Sequence, residues 1–131
     1  MTYFADLSPY SFVKTASTGK ALNVGWLSRW HSYPRGNVPE EVLAAIFALC
    51  QKPVNKTRGF HPCEFCSSKT MGTVVERDGI RQTLGSAEIR VIGPDGLVYA
   101  APDLIYHYMR DHAYLPPKEF LEAAALSGAK S

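Results

Sequence analysis

Apolar residues recur at intervals of three and four along residues 39–50, which is the pattern of a helix with one buried face. Glu40 and Glu41 lie in its first turn, where the helix dipole favours negative charge. Pro39 suits the first helical position because its missing N–H needs no partner there, and Pro53 follows the end. The pattern therefore predicts a helix over residues 39–50, with Cys50 as a packed core thiol.

Strand patterns dominate residues 73–99. Asp78-Gly79, a pair typical of a type I′ turn, separates two strands predicted at 73–76 and 80–84. Residues 87–92 alternate between apolar and polar positions, which predicts a strand with one buried face. A Gly-Pro-Asp-Gly turn then leads to a short strand at 97–99, which completes a second hairpin.

The two ends of the chain have different patterns. Residues 21–27 are typical of a buried strand with Trp26 as a core anchor, and a short strand is predicted near residues 10–13. In the C-terminal third, the apolar spacing predicts one helix over residues 102–111. A pair of prolines ends it, and a second helix is predicted over residues 118–126.

This order of elements predicts an α+β fold: a short antiparallel β-meander packed with helices on one side, and a loop of the zinc-knuckle type. A length of 131 residues suits a single domain over residues 1–131, and 46% hydrophobic residues supply a core. The net charge of +2 is too small to indicate nucleic-acid binding by itself, and the basic residues are dispersed.

The sequence shows no targeting feature. The N-terminal residues lack the basic start and the apolar run of a secretion signal, and no apolar stretch approaches the roughly 18 residues of a membrane span. Three cysteines, an odd number, argue against a disulfide framework. We therefore expect a cytoplasmic protein with reduced thiols and no membrane partner.

Metal-ligating residue types concentrate in two short segments. His61-Pro62-Cys63-Glu64-Phe65-Cys66 contains a Cys-x-x-Cys pair, and His107 and His112 follow in the C-terminal third. Thiolates and imidazoles are the ligands of structural zinc, which prefers four of them in a tetrahedron. Cys63, Cys66, His107 and His112 are therefore predicted to bind one zinc ion, with iron as the alternative metal.

The five-residue spacing of the two histidines is unusual for a helix. Positions five apart are separated by about 140° around a regular helix. His107 and His112 therefore reach one ion only if the helix is distorted or ends near His112. His61 is a rival for the fourth ligand, and His107 would then pack in the core.

Two other kinds of chemistry compete with a structural site. Pro62-Cys63-Glu64-Phe65-Cys66 matches the Pro-Cys-x-x-Cys half of the zinc deaminase signature, but the preceding His-x-Glu is missing. A Cys-x-x-Cys pair also carries thiol–disulfide redox chemistry, usually at the start of a helix. Residues 67–72 have the composition of a poor helix start, which disfavours that reading.

Longer stretches of the chain, residues 21–27, 59–66, 85–108 and 114–120, carry a family resemblance. The chain resembles a family of small uncharacterised bacterial proteins, a domain of unknown function with a Gly-Phe-His-Pro-Cys-x-Phe-Cys motif and a Tyr-x-Pro-Pro-x-x-Phe C-terminal motif. This resemblance implies no activity. The family is similar to small domains found near secreted-toxin and conflict gene systems, which implies an immunity or regulatory role.

We therefore consider three classes of function. The first is a non-enzymatic interaction or regulatory module that binds another protein through the surface around the metal site. The second is a zinc-dependent hydrolase or deaminase-like enzyme, which needs an open metal position beside a carboxylate such as Glu64 or Glu88. The third is a nucleic-acid-binding zinc module, which requires a basic face formed by Arg58, Lys69, Arg77, Arg81 and Arg90.

Overall fold

The computed structural model of the protein describes residues 3–10, 21–56, 60–66 and 72–129. The elements follow one another as β1 (Ala21–Asn23), α1 (Glu40–Cys50), β2 (Thr73–Arg77), β3 (Ile80–Leu84), β4 (Glu88–Ile92), β5 (Val98–Pro102), α2 (Ile105–Asp111) and α3 (Lys118–Ala129). This architecture confirms the predicted α+β class, with three helices and two antiparallel hairpins among the described residues.

The described strands form two sheets. Strands β2 and β3 form a two-stranded hairpin, and the φ angles of 51° at Asp78 and 80° at Gly79 confirm the predicted primed turn. Strand β4 pairs antiparallel with β5, and β1 joins the other side of β5 in parallel, which gives the order β1-β5-β4. Parallel pairing needs a long crossover, and the segment that contains α1 and the first hairpin provides it.

Several predicted boundaries differ from the structure. The strand predicted at 21–27 is confirmed only over Ala21–Asn23, because Gly25 has a φ of 81° and turns the chain. Helix α1 begins at Glu40, so Pro39 caps the helix from outside with a ψ of 146° instead of occupying its first position. Helix α2 begins at Ile105, since Pro102 still belongs to β5.

Two further differences lie at the ends of the chain. Helix α3 continues to Ala129, beyond the predicted end at 126. Of the strand predicted near residues 10–13, only Tyr10 is described, and its N–H donates to the carbonyl of Ala21 at 2.8 Å. Residues 11–13 lie outside the described part of the chain.

The core lies where α1, α2 and α3 meet β4 and the strands beside it. The side chains that bury most completely there include Ile46, Leu84, Ile89, Ile105 and Phe120. Trp26 is buried as predicted, and its indole N–H donates to the carbonyl of Ala100 at 3.0 Å. Cys50 is a buried free thiol directed at the carbonyl of Asp103, which confirms its role in packing.

In the part of the chain that is described, no helix combines the length and hydropathy needed to cross a membrane.

Candidate metal centre

The four predicted ligands come together in space although two elements far apart in sequence carry them. Their ligand atoms, the two cysteine Sγ atoms and one nitrogen from each histidine, all lie within 4.8 Å of one another. Cys66 Sγ lies 3.1 Å from His107 Nε2 and 3.5 Å from His112 Nε2. Cys63 Sγ lies 3.4 Å from His112 Nε2, and the two histidine Nε2 atoms are 3.2 Å apart.

These separations suit one tetrahedral ion. Zinc lies about 2.3 Å from sulfur and about 2.0 Å from nitrogen, so tetrahedral ligand atoms are roughly 3.3–3.8 Å apart. The observed nitrogen–nitrogen and sulfur–nitrogen distances, 3.1–3.5 Å, fall close to that range. The cluster is therefore close enough to hold a metal ion. The identity of any ion, and its binding, stay predictions.

The end of α2 explains how histidines five residues apart reach the same point. The helix stops at Asp111, and His112 leaves the helical path with a φ of −122°. Ala113 then takes a φ of 54°, which reverses the chain. The carbonyl of Tyr108 accepts N–H groups from both His112 (3.1 Å) and Tyr114 (3.1 Å). This ending is the departure from regular helix that the spacing required.

Residues 60–66, which we call the knuckle loop, are held in place by backbone contacts with Gly85. The His61 N–H donates to the Gly85 carbonyl at 2.8 Å. Gly85 has a φ of 116°, and a Cβ there would lie only 2.5 Å from the carbonyl oxygen of His61, so the close approach requires glycine. The Gly85 N–H donates to the buried carboxylate of Asp103 at 2.8 Å.

A second attachment of the knuckle loop comes from Glu64. Its carboxylate accepts the backbone N–H of Arg29 at 3.1 Å, which joins the loop to residues 28–31. Within the loop, the Cys66 N–H donates to the Cys63 carbonyl at 3.4 Å and closes the turn between the two thiols. This turn brings the two thiols to the same side of the loop, next to the histidines of α2.

Asp111 orients the His107 imidazole. His107 Nδ1 lies 2.8 Å from Asp111 Oδ2, which leaves Nε2 directed at the cysteines. Arg110 donates to both oxygens of the same carboxylate. Partial burial raises the pKa of Asp111, but the neighbouring guanidinium of Arg110 and the imidazole of His107 outweigh it and hold that pKa below its usual value. A carboxylate behind a metal-binding histidine sets its tautomer and increases its basicity.

Burial shapes the ionisation of the ligands. It lowers the pKa of His107 and of His112, which favours the neutral imidazole that binds metals. It raises the pKa of the Cys63 thiol, while the backbone amides of Phe65 and Cys66 act in the opposite direction. A cation is the natural compensation for thiolate charge in such a place.

Phe65 covers the cluster with an aromatic shell. Its ring packs against His112 (5.4 Å between centroids), Tyr108 (5.8 Å) and Tyr33 (5.4 Å). The Tyr33 hydroxyl donates to the carbonyl of His112 at 2.9 Å, so the same residue supports both the shell and the end of α2. An apolar shell of this kind limits the access of water to a metal ion.

Other candidate residues lie elsewhere. His61 is exposed and does not belong to the cluster, so the structure favours His107 and His112 over this rival. Glu88 accepts hydrogen bonds from the Tyr10 hydroxyl (2.8 Å) and from Arg90 (2.9 Å), outside the cluster. Of the basic residues that a nucleic-acid-binding module would require on one face, three have carboxylate partners: Arg77 is bound to Glu40, Arg81 lies near Glu76 and Arg90 is bound to Glu88. Arg58 and Lys69 lie outside the described residues.

Sequence reasoning missed the residues that support the ligands. Asp111 follows His107 by four positions, a spacing that places two side chains on the same face of a helix, so this partner could have been found. The contacts of Glu64 with Arg29 and of Tyr33 with His112 have no comparable signal, because they join distant segments.

Comparison with known proteins supports the family resemblance. No curated protein and no solved structure matches this chain. Residues 2–125 match a family described as a domain of unknown function, DUF7919. The match includes the knuckle loop, His107, His112 and every strand that the structure describes. Since it spans nearly the whole chain, the protein belongs to the DUF7919 family.

Proposed function

We propose that the protein is a non-enzymatic interaction module in which Cys63, Cys66, His107 and His112 hold one zinc ion in a closed structural site. The observation that carries this proposal is the convergence of the four ligand atoms within 4.8 Å. Two thiolates and two imidazoles are a common ligand set of structural zinc, and they are softer than the oxygen ligands that magnesium and calcium select.

Two features favour a structural role over a catalytic one. The site has four protein ligands, and the nearby carboxylates already accept hydrogen bonds from the protein. Four protein side chains fill a tetrahedron and leave no position for water. Asp111 is engaged by His107 and Arg110, and Glu64 accepts the N–H of Arg29. A zinc hydrolase or deaminase would need three protein ligands, a bound water and a carboxylate free to move a proton.

The ion would act as a cross-link. It would join the knuckle loop to the end of α2, two segments that are far apart along the chain. Because the unfolded chain has no preformed site, the free energy of metal binding contributes to folding. The surface around the site then serves as a fixed platform for a protein partner, in an immunity-type or regulatory role.

Metal content is the direct test of this proposal. Untagged protein is analysed by elemental mass spectrometry, and its thiols are titrated before and after addition of a chelator. We expect about one zinc per chain, with two thiols becoming reactive on chelation while Cys50 stays protected by burial. The Cys63→Ser variant should lose the zinc. If the protein holds no metal and Cys63 and Cys66 react freely throughout, the proposal is wrong and thiol redox chemistry takes its place.

The coordination shell separates the module from an enzyme. X-ray absorption spectroscopy of the zinc-loaded protein should report two sulfur and two nitrogen neighbours. A His112→Ala variant should lose the zinc, as Cys63→Ser does, because each substitution removes one of the four ligands. A wild-type shell with an oxygen neighbour in place of one imidazole would favour the hydrolase or deaminase alternative.

A further inference from the structure

One surface segment beside the metal cluster is rich in aromatic and arginine side chains, most of which are exposed. We call it the aromatic–arginine patch; it consists of Arg29, Trp30, His31, Tyr33 and Arg35, with Tyr3 stacked on His31 at 3.7 Å. The patch is attached to the site at two points. The Arg29 N–H bonds to Glu64 of the knuckle loop, and the Tyr33 hydroxyl bonds to the carbonyl of His112.

Trp30 is the most exposed large apolar side chain that the structure describes, at 77%. The main chain that carries it is held in place, because the backbone N–H of Trp30 donates to the hydroxyl of Ser28 (3.1 Å) and the backbone N–H of His31 donates to the Ser28 carbonyl (3.2 Å). Ser28 itself is buried. An exposed tryptophan on a hydrogen-bonded turn is suited to anchor a partner, since tryptophan is prominent among the residues that dominate binding energy.

The composition of residues 29–38 is that of a protein interface. The segment contains tryptophan, tyrosine and two arginines but no lysine, aspartate or glutamate. Protein interfaces are enriched in tryptophan, tyrosine and arginine, and depleted in lysine, glutamate and aspartate. A nucleic-acid surface would instead need many phosphate contacts, of which lysine normally supplies a share.

The two arginines of the patch are held by rings instead of by carboxylates. The Arg29 guanidinium lies 4.8 Å from the centre of the Trp30 ring, and that of Arg35 lies 4.7 Å from the centre of the Tyr33 ring. Within the described residues, neither has a carboxylate at ion-pair distance, unlike the arginines of the strands, Arg77, Arg81 and Arg90. Stacking fixes the plane of a guanidinium and leaves its N–H groups free for a carboxylate.

We propose that the aromatic–arginine patch binds an acidic segment of a protein partner, with Trp30 as the apolar anchor and with Arg29 and Arg35 as carboxylate receptors. Arginine pairs with carboxylates through two parallel hydrogen bonds, which gives orientation as well as attraction. The positive charge of the patch makes self-association through it unfavourable and selects a partner of opposite sign. This inference rests on the proposed interaction module, since the patch is held in place by the residues around its metal site.

Selection from a library of random displayed peptides tests the proposal. The zinc-loaded wild-type protein is the target, and the double variant Trp30→Ala/Arg35→Ala is the counter-target. Arg81→Ala is the matched control, because Arg81 is an exposed arginine on strand β3, outside the patch. Selected peptides are synthesised, and their affinities are measured by fluorescence polarisation. A fluorescein-labelled 15-residue oligothymidylate is measured in parallel.

We expect the selected peptides to contain more aspartate and glutamate than the library, to lose at least about 10-fold in affinity with the double variant, and to bind Arg81→Ala as they bind the wild type. Three results would overturn the proposal: peptides without acidic enrichment, equal losses with the double variant and Arg81→Ala, or Trp30-dependent binding of the oligonucleotide in place of acidic peptides.

Metal content measured on the same samples keeps the two proposals separate. The double variant should keep the zinc of the wild type, since neither substituted side chain is a ligand. A wild-type protein that takes up no zinc but binds the acidic peptides would refute the zinc site and leave the patch standing. A wild-type protein with a full complement of zinc that binds no peptide would refute the patch and leave the zinc site standing.

Discussion

Replacement of Cys66 by serine should remove one metal ligand at a small cost in packing, because Cys66 is only partly buried. We expect the free energy of unfolding to fall by about 4 kcal/mol in the presence of zinc. The reason is that the ion cross-links the knuckle loop to α2, and without Cys66 the three remaining ligands should bind zinc too weakly to keep that cross-link closed.

The magnitude follows from the loop that the ion closes. About 40 residues separate Cys66 from His107, and the restriction of a loop of this size in the unfolded chain corresponds to about 4 kcal/mol. A domain is stable by only about 5–15 kcal/mol, so the loss is a large fraction of the total. At roughly 3–4 °C per kcal/mol for a chain of this length, the Tm should fall by about 12–16 °C.

Thermal and urea unfolding with and without a chelator measure this effect. The wild type should lose about as much stability on chelation as the Cys66→Ser substitution removes, and Cys66→Ser should no longer respond to the chelator. Cys50→Ala is the control, because Cys50 is a buried thiol outside the cluster. It should be destabilised by a cavity while it keeps the full response to the chelator.

A double-mutant cycle of Cys66→Ser and His112→Ala tests whether both residues stabilise the fold through the same ion. If both side chains act through one ion, the double variant should be little less stable than the worse single variant, because either loss opens the same cross-link. Additive losses from Cys66→Ser and His112→Ala would mean that the two residues stabilise the fold independently, and the cross-link argument would then be wrong.

Two other predictions concern carboxylates. Asp111→Asn should weaken zinc binding by about 10–100-fold, measured by competition with a chromophoric chelator, because the amide orients the His107 ring less effectively than the carboxylate does. Burial raises the pKa of Asp103 from 3.8 to about 6, so the folded state binds this proton more tightly than the unfolded state. The contribution of Asp103 to the free energy of unfolding should therefore decline as pH rises from about 4 to about 6, by up to about 3 kcal/mol, measured as the difference between urea melts of the wild type and Asp103→Asn.

Each of these predictions has a control. Asp95→Asn changes a carboxylate in the turn between β4 and β5, away from the metal cluster, and should leave zinc affinity unchanged. Equal losses of affinity at Asp95 and Asp111 would contradict an orienting role for Asp111. For Asp103, parallel pH profiles of the wild type and the variant between pH 4 and 6 would show that the buried carboxylate is not the source of the pH dependence.

Local elements of this protein were predictable because neighbouring residues determine them. The apolar spacing and the acidic first turn predicted α1, and the Asp78-Gly79 pair predicted the β2–β3 hairpin, since both need only contacts within a few positions. The ligand types were predictable for a similar reason, because a Cys-x-x-Cys turn forms locally.

Tertiary structure decided how those parts meet. The parallel pairing of β1 with β5, the close approach of His61 to Gly85 and the support of the metal cluster by Tyr33 all join segments that are distant in sequence. The chain reversal at Ala113 also depends on tertiary contacts. Tyr114, the next residue, is fully buried in the core, and His112 on the other side of the reversal faces the cysteines. The local sequence supplied the side chains from which a metal centre could form. Their convergence depended on packing between distant segments, because the free energy of that packing is shared among many contacts and no single local pattern encodes it.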